Sequence, residues 1–400
     1  MALLNIQDPP QTKPFSLFVL GFRPFFLAAG IFSALTMSLW MAITVFGLKL
    51  PMQGLSPYQW HAHEMIYGFT LAVVSGFLLT AIKNWTGVQT LQYRPLILLF
   101  MLWLGARVCW LWGTTLLPLA ALFDLAFNLL LFYGTLQPVV QVKQWKQLGI
   151  VSKILLLGVT NTLFYLGALG YLEQGLHWGL IGGVMLLVAL IMTMGRRVMP
   201  SFIQNAVSYP VQLKNSALLD RGSLILFLLF ALTEVFLQDM MISSYLATGL
   251  LVISAIRLYN WHTPGIWQAP LLWGLYGAFL FITLGFLIFA LLPYSTLFSR
   301  SAGIHAFTFG GIAMITISMM ARVTLGHTGR DIKQPSALIG WAQGLLVVGA
   351  IIRVLLTAIA PEFYLNWILI SQLMWISAFS LFIWVNLPFL IRPRVDGAVG

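Results

Sequence analysis

Apolar residues along this chain come in runs of about 20, separated by short polar or turn-forming breaks. The runs fall at roughly 25–47, 61–82, 95–115, 117–137, 150–172, 177–198, 222–240, 242–261, 269–292, 302–325, 336–358 and 365–390. Coiled as a helix at about 1.5 Å per residue, each is long enough to cross the ~30 Å hydrocarbon layer of a bilayer. The pattern predicts an all-α polytopic membrane protein with about twelve transmembrane helices. No connection is long enough to fold as a soluble domain, so residues 1–400 are expected to form a single transmembrane domain. Tails of about 1–20 and 391–400 flank it. The longest connection, 199–221, carries the turn signals Pro200 and Pro210.

Composition agrees with the pattern. Hydrophobic residues make up 60% of the chain and charged residues 8%, against about 25% charged in a soluble domain. The formal charge of +11 changes meaning once the charges are placed on the runs. With the N-terminus inside, 17 of the 21 Lys and Arg fall in inner segments, Lys49 and Arg300 fall outside, and Arg107 and Arg353 lie within runs. This bias sets both termini in the cytoplasm. The excess positive charge therefore records insertion and gives no reason to expect a nucleic-acid partner. The first fifteen residues lack a cleavable-signal pattern. Cys109 is the only cysteine, which excludes an internal disulfide, a CxxC redox pair and covalent haem attachment.

The second, sixth and tenth runs match one another. His63 precedes Gly68 by five residues, His177 precedes Gly182 and His305 precedes Gly310, and Gly182-Gly183 pairs with Gly310-Gly311. Each is four helices from the next, so all three carry histidine at the outer end, and the chain reads as three pseudo-repeated four-helix units.

The outer histidines His61, His63, His177 and His305 form the first candidate metal site, because neutral imidazole ligates haem iron and copper. His61 and His63, two apart on a helix, point to nearly opposite faces and serve different partners unless the helix end is unwound. Histidines at the interface also occur simply as headgroup-level polar residues. Glu64 is either an orienting acceptor for one ring or an exposed acid. His327 closes the tenth run about 33 Å from His305, too far to share a metal. It stands with Arg196, Arg197, Arg322 and Arg330 at the inner face. Those arginines are either topology determinants or partners for carboxylates such as haem propionates. Arg107 and Asp124 fall at equal depth about 12 Å from the third-to-fourth turn and are expected to form an ion pair. Glu234 and Arg353 lie in outer halves, where a second pair or an Arg–propionate contact is open. The methionines Met185, Met192, Met194 and Met199 are read as packing rather than as soft copper ligands.

The motifs GFRPFF (21–26), WHAHEM (60–65), GFLLTAIKNWTG (76–87), GRRVMPSF (195–202), PLLW (270–273) and HAFTFGG through RVTLGHTGR (305–330) resemble those of the NnrS family of bacterial membrane proteins over nearly the whole chain. The resemblance implies a haem-binding, copper-associated protein of the bacterial inner membrane, linked to nitric oxide and to tolerance of nitrosative stress. It carries metal-site roles to His61, His63, His305 and His327, and a site role to Arg330. Lys83 stands where the family pattern has proline, and Tyr276 where many members carry histidine. Three four-helix arcs with a His-x-His pair also resemble the main subunit of haem–copper oxidases. The sixth run lacks the further histidine pair of a full copper site, so oxygen reduction is not expected. A metal-free twelve-helix transporter of a small anion or solute, and a scaffold delivering metal to a partner enzyme, are the competing readings. The threefold pattern counts against two matched six-helix transporter halves.

Overall fold

The structure is a computed structural model that describes residues 16–52, 54–214 and 216–397. Lys13 and the rest of the expected N-terminal tail up to residue 15 lie outside the described residues. The chain is 82% helical with no strands among the described residues. We number the long helices α1 (Phe22–Thr44), α2 (Pro57–Thr86), α3 (Tyr93–Cys109), α4 (Leu117–Gln141), α5 (Leu148–Ala168), α6 (Gly175–Ala206), α7 (Ala217–Leu232, continued by a π turn Thr233–Leu237), α8 (Met240–Trp261), α9 (Pro270–Leu291), α10 (Arg300–His327), α11 (Ala337–Ile359) and α12 (Tyr364–Ile391). Among the described residues, 10 stretches are long and apolar enough to cross a membrane. One of them, Tyr93–Gln141, is 49 residues long and turns back at Gly113 (φ 61°, ψ −143°) into the packed pair α3 and α4.

Local chemistry sets the helix ends. Ser56 caps α2 in a reciprocal box with Gln59, with Pro57 in the first turn where its missing N–H costs nothing. Gly87 ends α2 in the left-handed region at φ 72°. Ser299 caps α10 and Asp239 caps α8 through side-chain acceptors. Pro200 does not end the sixth run. It lies inside α6, which continues to Ala206, because a membrane helix tolerates one lost backbone bond when its neighbours hold the helix in place. The connection expected at 199–221 therefore shrinks to 207–216.

Most neighbouring helices pack in chain order, α2 packs on α1 and α4, and α12 returns onto α1 to close the bundle. The most enclosed stretch is α2, with 89% of its apolar window buried. The windows of α9 and α10 are 72% buried, and those of α3–α5, α8, α11 and α12 are 39% buried. The helices bearing the repeated histidines, α2, α6 and α10, meet in the centre. The repeated glycines let these helices approach their outer neighbours α1, α5 and α9 closely. A Cβ on Gly68 would lie 2.6 Å from Phe32, on Gly182 2.8 Å from Thr160, and on Gly310 2.3 Å from Phe281. The α-helix widens into a π turn directly after His63 (Glu64–Thr70) and after His305 (Ala306–Ala313), whereas α6 continues as α-helix after His177.

Candidate functional site

The π turns of α2, α10 and α11 each contribute residues to the wall of one cavity. Such turns insert a residue and re-aim the side chains around them. The π turn of α11, Ile352–Leu356, carries Arg353. His61, His305 and Arg353 line one cavity of about 380 Å³, with Trp40, Tyr58, Tyr364 and Gln372 in its wall. The His61 ring stacks on Trp40 (centroids 4.5 Å apart, planes within 9°), and its buried Nδ1 has no hydrogen-bond partner. His305 Nδ1 lies 2.7 Å from the Ser301 carbonyl oxygen, which fixes the proton on Nδ1 and leaves Nε2 as an acceptor. The Arg353 guanidinium donates to that Nε2 at 3.2 Å. Arg353 forms no ion pair with a described residue. The expected alternative, a pair between Arg353 and Glu234, does not occur. Glu234 instead pairs with Arg300 at 2.6 Å.

His63 points the other way, into a fully buried charged cluster. Its Nδ1 is 2.9 Å from Glu64 Oε1 and its Nε2 is 3.0 Å from Asn161 Oδ1. Arg107 donates to Glu64 at 3.0 Å and to Asp124, which also accepts from Tyr165 at 2.7 Å. The expected Arg107–Asp124 pair is present, and Glu64 is an orienting acceptor rather than an exposed acid. Both nitrogens of His63 are occupied by protein groups. His177 lies apart as well, with Nε2 3.2 Å from the Glu234 carbonyl oxygen, which Arg300 also approaches. Of the four outer histidines, the fold brings two, His61 and His305, to a shared cavity.

At the opposite end of α2 and α10, His327 Nε2 accepts from the Asn84 amide at 3.3 Å. The arginines there have different surroundings. Arg196 faces Asp220 at 3.7 Å, and Arg197 donates to Gln147 at 2.7 Å and lies over Trp85. Arg330 covers Phe389 and donates to the Thr328 carbonyl oxygen. Arg322 lies 3.9 Å over the Phe202 ring and has no hydrogen bond or ion pair with a described residue. Burial first, and then nearby Arg392, push the pKa of Arg330 down. A hydrogen bond from Arg394 to Asp396 raises the pKa of Arg394. Tyr276, at the expected histidine position, donates its hydroxyl to the Leu258 carbonyl oxygen at 2.9 Å, a packing role.

Trp40 and Ser301 escaped the sequence reading. Ser301 precedes His305 by one helical turn, a spacing that marks a carbonyl within reach of the ring. Trp40 carries no local signal, since it reaches His61 across a helix interface. Arg23, counted only as a topology charge, is fully buried and donates to the carbonyl oxygens of Phe389, Leu390 and Arg392. It thus caps the end of α12, which explains the arginine of GFRPFF.

Among the described residues, no group of three or more His, Cys, Asp or Glu is placed to hold a metal ion. Residues 16–394 match the family model described as NnrS protein. A comparison with curated proteins finds no match. The chain belongs to the NnrS family.

Proposed function

Taking membership of that family as the premise, we propose that the cavity between His61 and His305 holds a non-covalent haem. The chain would then bind or redox-process nitric oxide and support tolerance to nitrosative stress. Family membership supports the coarser statement, a membrane protein related to the nitric oxide response. The finer reading rests on one observation: two imidazoles from separate helices face one cavity, one with an orphaned buried nitrogen and the other with its tautomer fixed by Ser301 and its Nε2 turned to the cavity, where Arg353 would have to release it on binding.

The donor set selects among metals. His61 and His305, with no third protein ligand beside them, would be enough to hold a haem, which brings its own porphyrin ligands, and one of the two imidazoles would give way to nitric oxide. A copper ion held by protein alone usually takes more side chains than this pair offers, so we assign no residue of this cavity to copper. Bound haem iron would supply the centre that binds nitric oxide. The chain's own residues prepare the place for it. The Ser301 carbonyl orients His305, as a hydrogen-bonded partner commonly orients a ligating histidine. Trp40 fixes the plane of the His61 ring. Arg353, a cation without a described counter-charge, suits a propionate carboxylate.

The same reading carries a topology. We take the two halves of Tyr93–Gln141 as separate crossings and α7 as another, which gives twelve in a bacterial inner membrane. The lysine and arginine bias then sets both termini in the cytoplasm. The repeated π turns after His63 and His305 support a degenerate repeat in α2 and α10.

The test is an absorption spectrum with metal analysis of protein purified from haem-replete cells. The wild type should show a haem band that His61→Ala and His305→Ala each diminish and His177→Ala does not. A wild type without haem would sink the reading.

A further inference from the structure

A second set of cavities runs from the opposite end of the bundle toward its middle. The polar mouth, about 280 Å³, is lined by Asn84, Trp85, Phe202, Arg322 and His327. It shares Phe77, Val198 and Met319 with a deeper cavity of about 80 Å³ between α2, α6, α9 and α10. The deep wall is hydrocarbon and thioether apart from Thr70 and Thr316. Their hydroxyls donate back to the Met65 and Ala313 carbonyl oxygens at 2.7 and 2.8 Å. The deep end thus presents no free polar group, and water gains nothing by entering it. The mouth presents the reverse: Arg322 stacks on Phe202 with its N–H edges unmatched by any described acceptor.

Arg322 is half-buried at this rim, where an anion would gain a charge-assisted hydrogen bond from a cation that no described acid answers. A void with an apolar depth and an unmatched guanidinium at its rim fits one chemical class. We propose that this slot binds a single-chain amphiphile with a carboxylate head, of the fatty-acid class. The carboxylate sits against Arg322, and the hydrocarbon enters between Leu187, Leu190 and Ile312. His327 and Asn84, already hydrogen-bonded to each other, border the head. This site uses none of the residues that face His61 and His305, so it stands or falls apart from the haem reading.

The test uses the full-length protein in phosphatidylcholine nanodiscs with a diazirine-bearing palmitoleic acid as photo-crosslinking probe, and labelled residues are mapped by peptide mass spectrometry. Labelling is expected on the deep wall, at Leu187, Leu190 or Ile312. Excess palmitoleic acid should compete, whereas palmitoleyl alcohol and acetate should not, because each lacks one half of the match. Arg322→Gln should weaken labelling about tenfold, the scale of one lost charge-assisted hydrogen bond, and Arg322→Lys should lose less. Equal competition by the alcohol overturns the proposal, as does labelling confined to lipid-facing residues such as Leu228. So does a well-folded Arg322→Gln variant that labels like the wild type. Loss of a haem band in Arg322→Gln without crosslinking at the deep wall would overturn it in favour of a porphyrin in this slot.

Discussion

His61 and His63 stand two residues apart on the same helix and live in opposite chemical worlds. His61 presents its ring to a cavity, stacked on one tryptophan, with a buried nitrogen left unmatched. His63 is sealed in a cluster where Glu64, Asn161, Arg107, Asp124 and Tyr165 engage one another. His63, with both nitrogens bonded to groups sealed away from the cavity, stabilises the helices that supply its partners. One with an orphan nitrogen costs stability and is kept for what it can bind. The contrast separates a structural centre from a candidate binding centre more sharply than residue type or depth.

Substitutions can break this comparison. The largest effect is expected from Arg107→Ala, which leaves Glu64 and Asp124 buried without their cation. It should destabilise the protein by ~3–5 kcal/mol, seen as a large drop in thermal midpoint in detergent or as failure to accumulate. His63→Ala removes a charge-assisted hydrogen bond and a neutral one, and should cost about 2–3 kcal/mol in the same assay. Any loss of haem in this variant should track unfolding. Gly68→Ala would push a methyl group to within 2.8 Å of Arg107 Nη1 and 2.6 Å of Phe32. It should destabilise by about 1–3 kcal/mol through overpacking, with His61 untouched. The smallest stability effect belongs to His61→Ala, ~0.5–1.5 kcal/mol for the lost ring stack, paired with the largest spectroscopic one. If His61→Ala proved as destabilising as His63→Ala while leaving the absorption spectrum intact, the distinction between the two residues would collapse.

The sequence carried these features unequally. Helix positions were readable because a membrane span must bury a long apolar run and satisfy its own backbone, which leaves few alternatives. The Arg107–Asp124 pair was readable because two charges at equal depth beside one tight turn have few other partners. Pro200 misled, since the signal that ends a helix in water does not end one held by membrane neighbours. Glu234 and Arg353 were open between a mutual pair and an Arg–propionate contact, and packing removed the first. Each lies at the right depth for the other, but Arg300, from the start of α10, reaches Glu234.

What the sequence determined by itself was the medium, the helices and the ends at which histidines and arginines gather, all fixed by one-dimensional periodicity and charge bias. Tertiary structure decided which of those residues meet. The opposite orientation of His61 and His63 was legible in their spacing, but which of them faces a cavity was not. That depended on the π turns at Glu64–Thr70, Ala306–Ala313 and Ile352–Leu356 and on which neighbouring helix offered an acceptor. The physical reason is that a hydrogen-bond partner is a property of a packed neighbour, and packing between distant segments leaves no periodic trace along the chain.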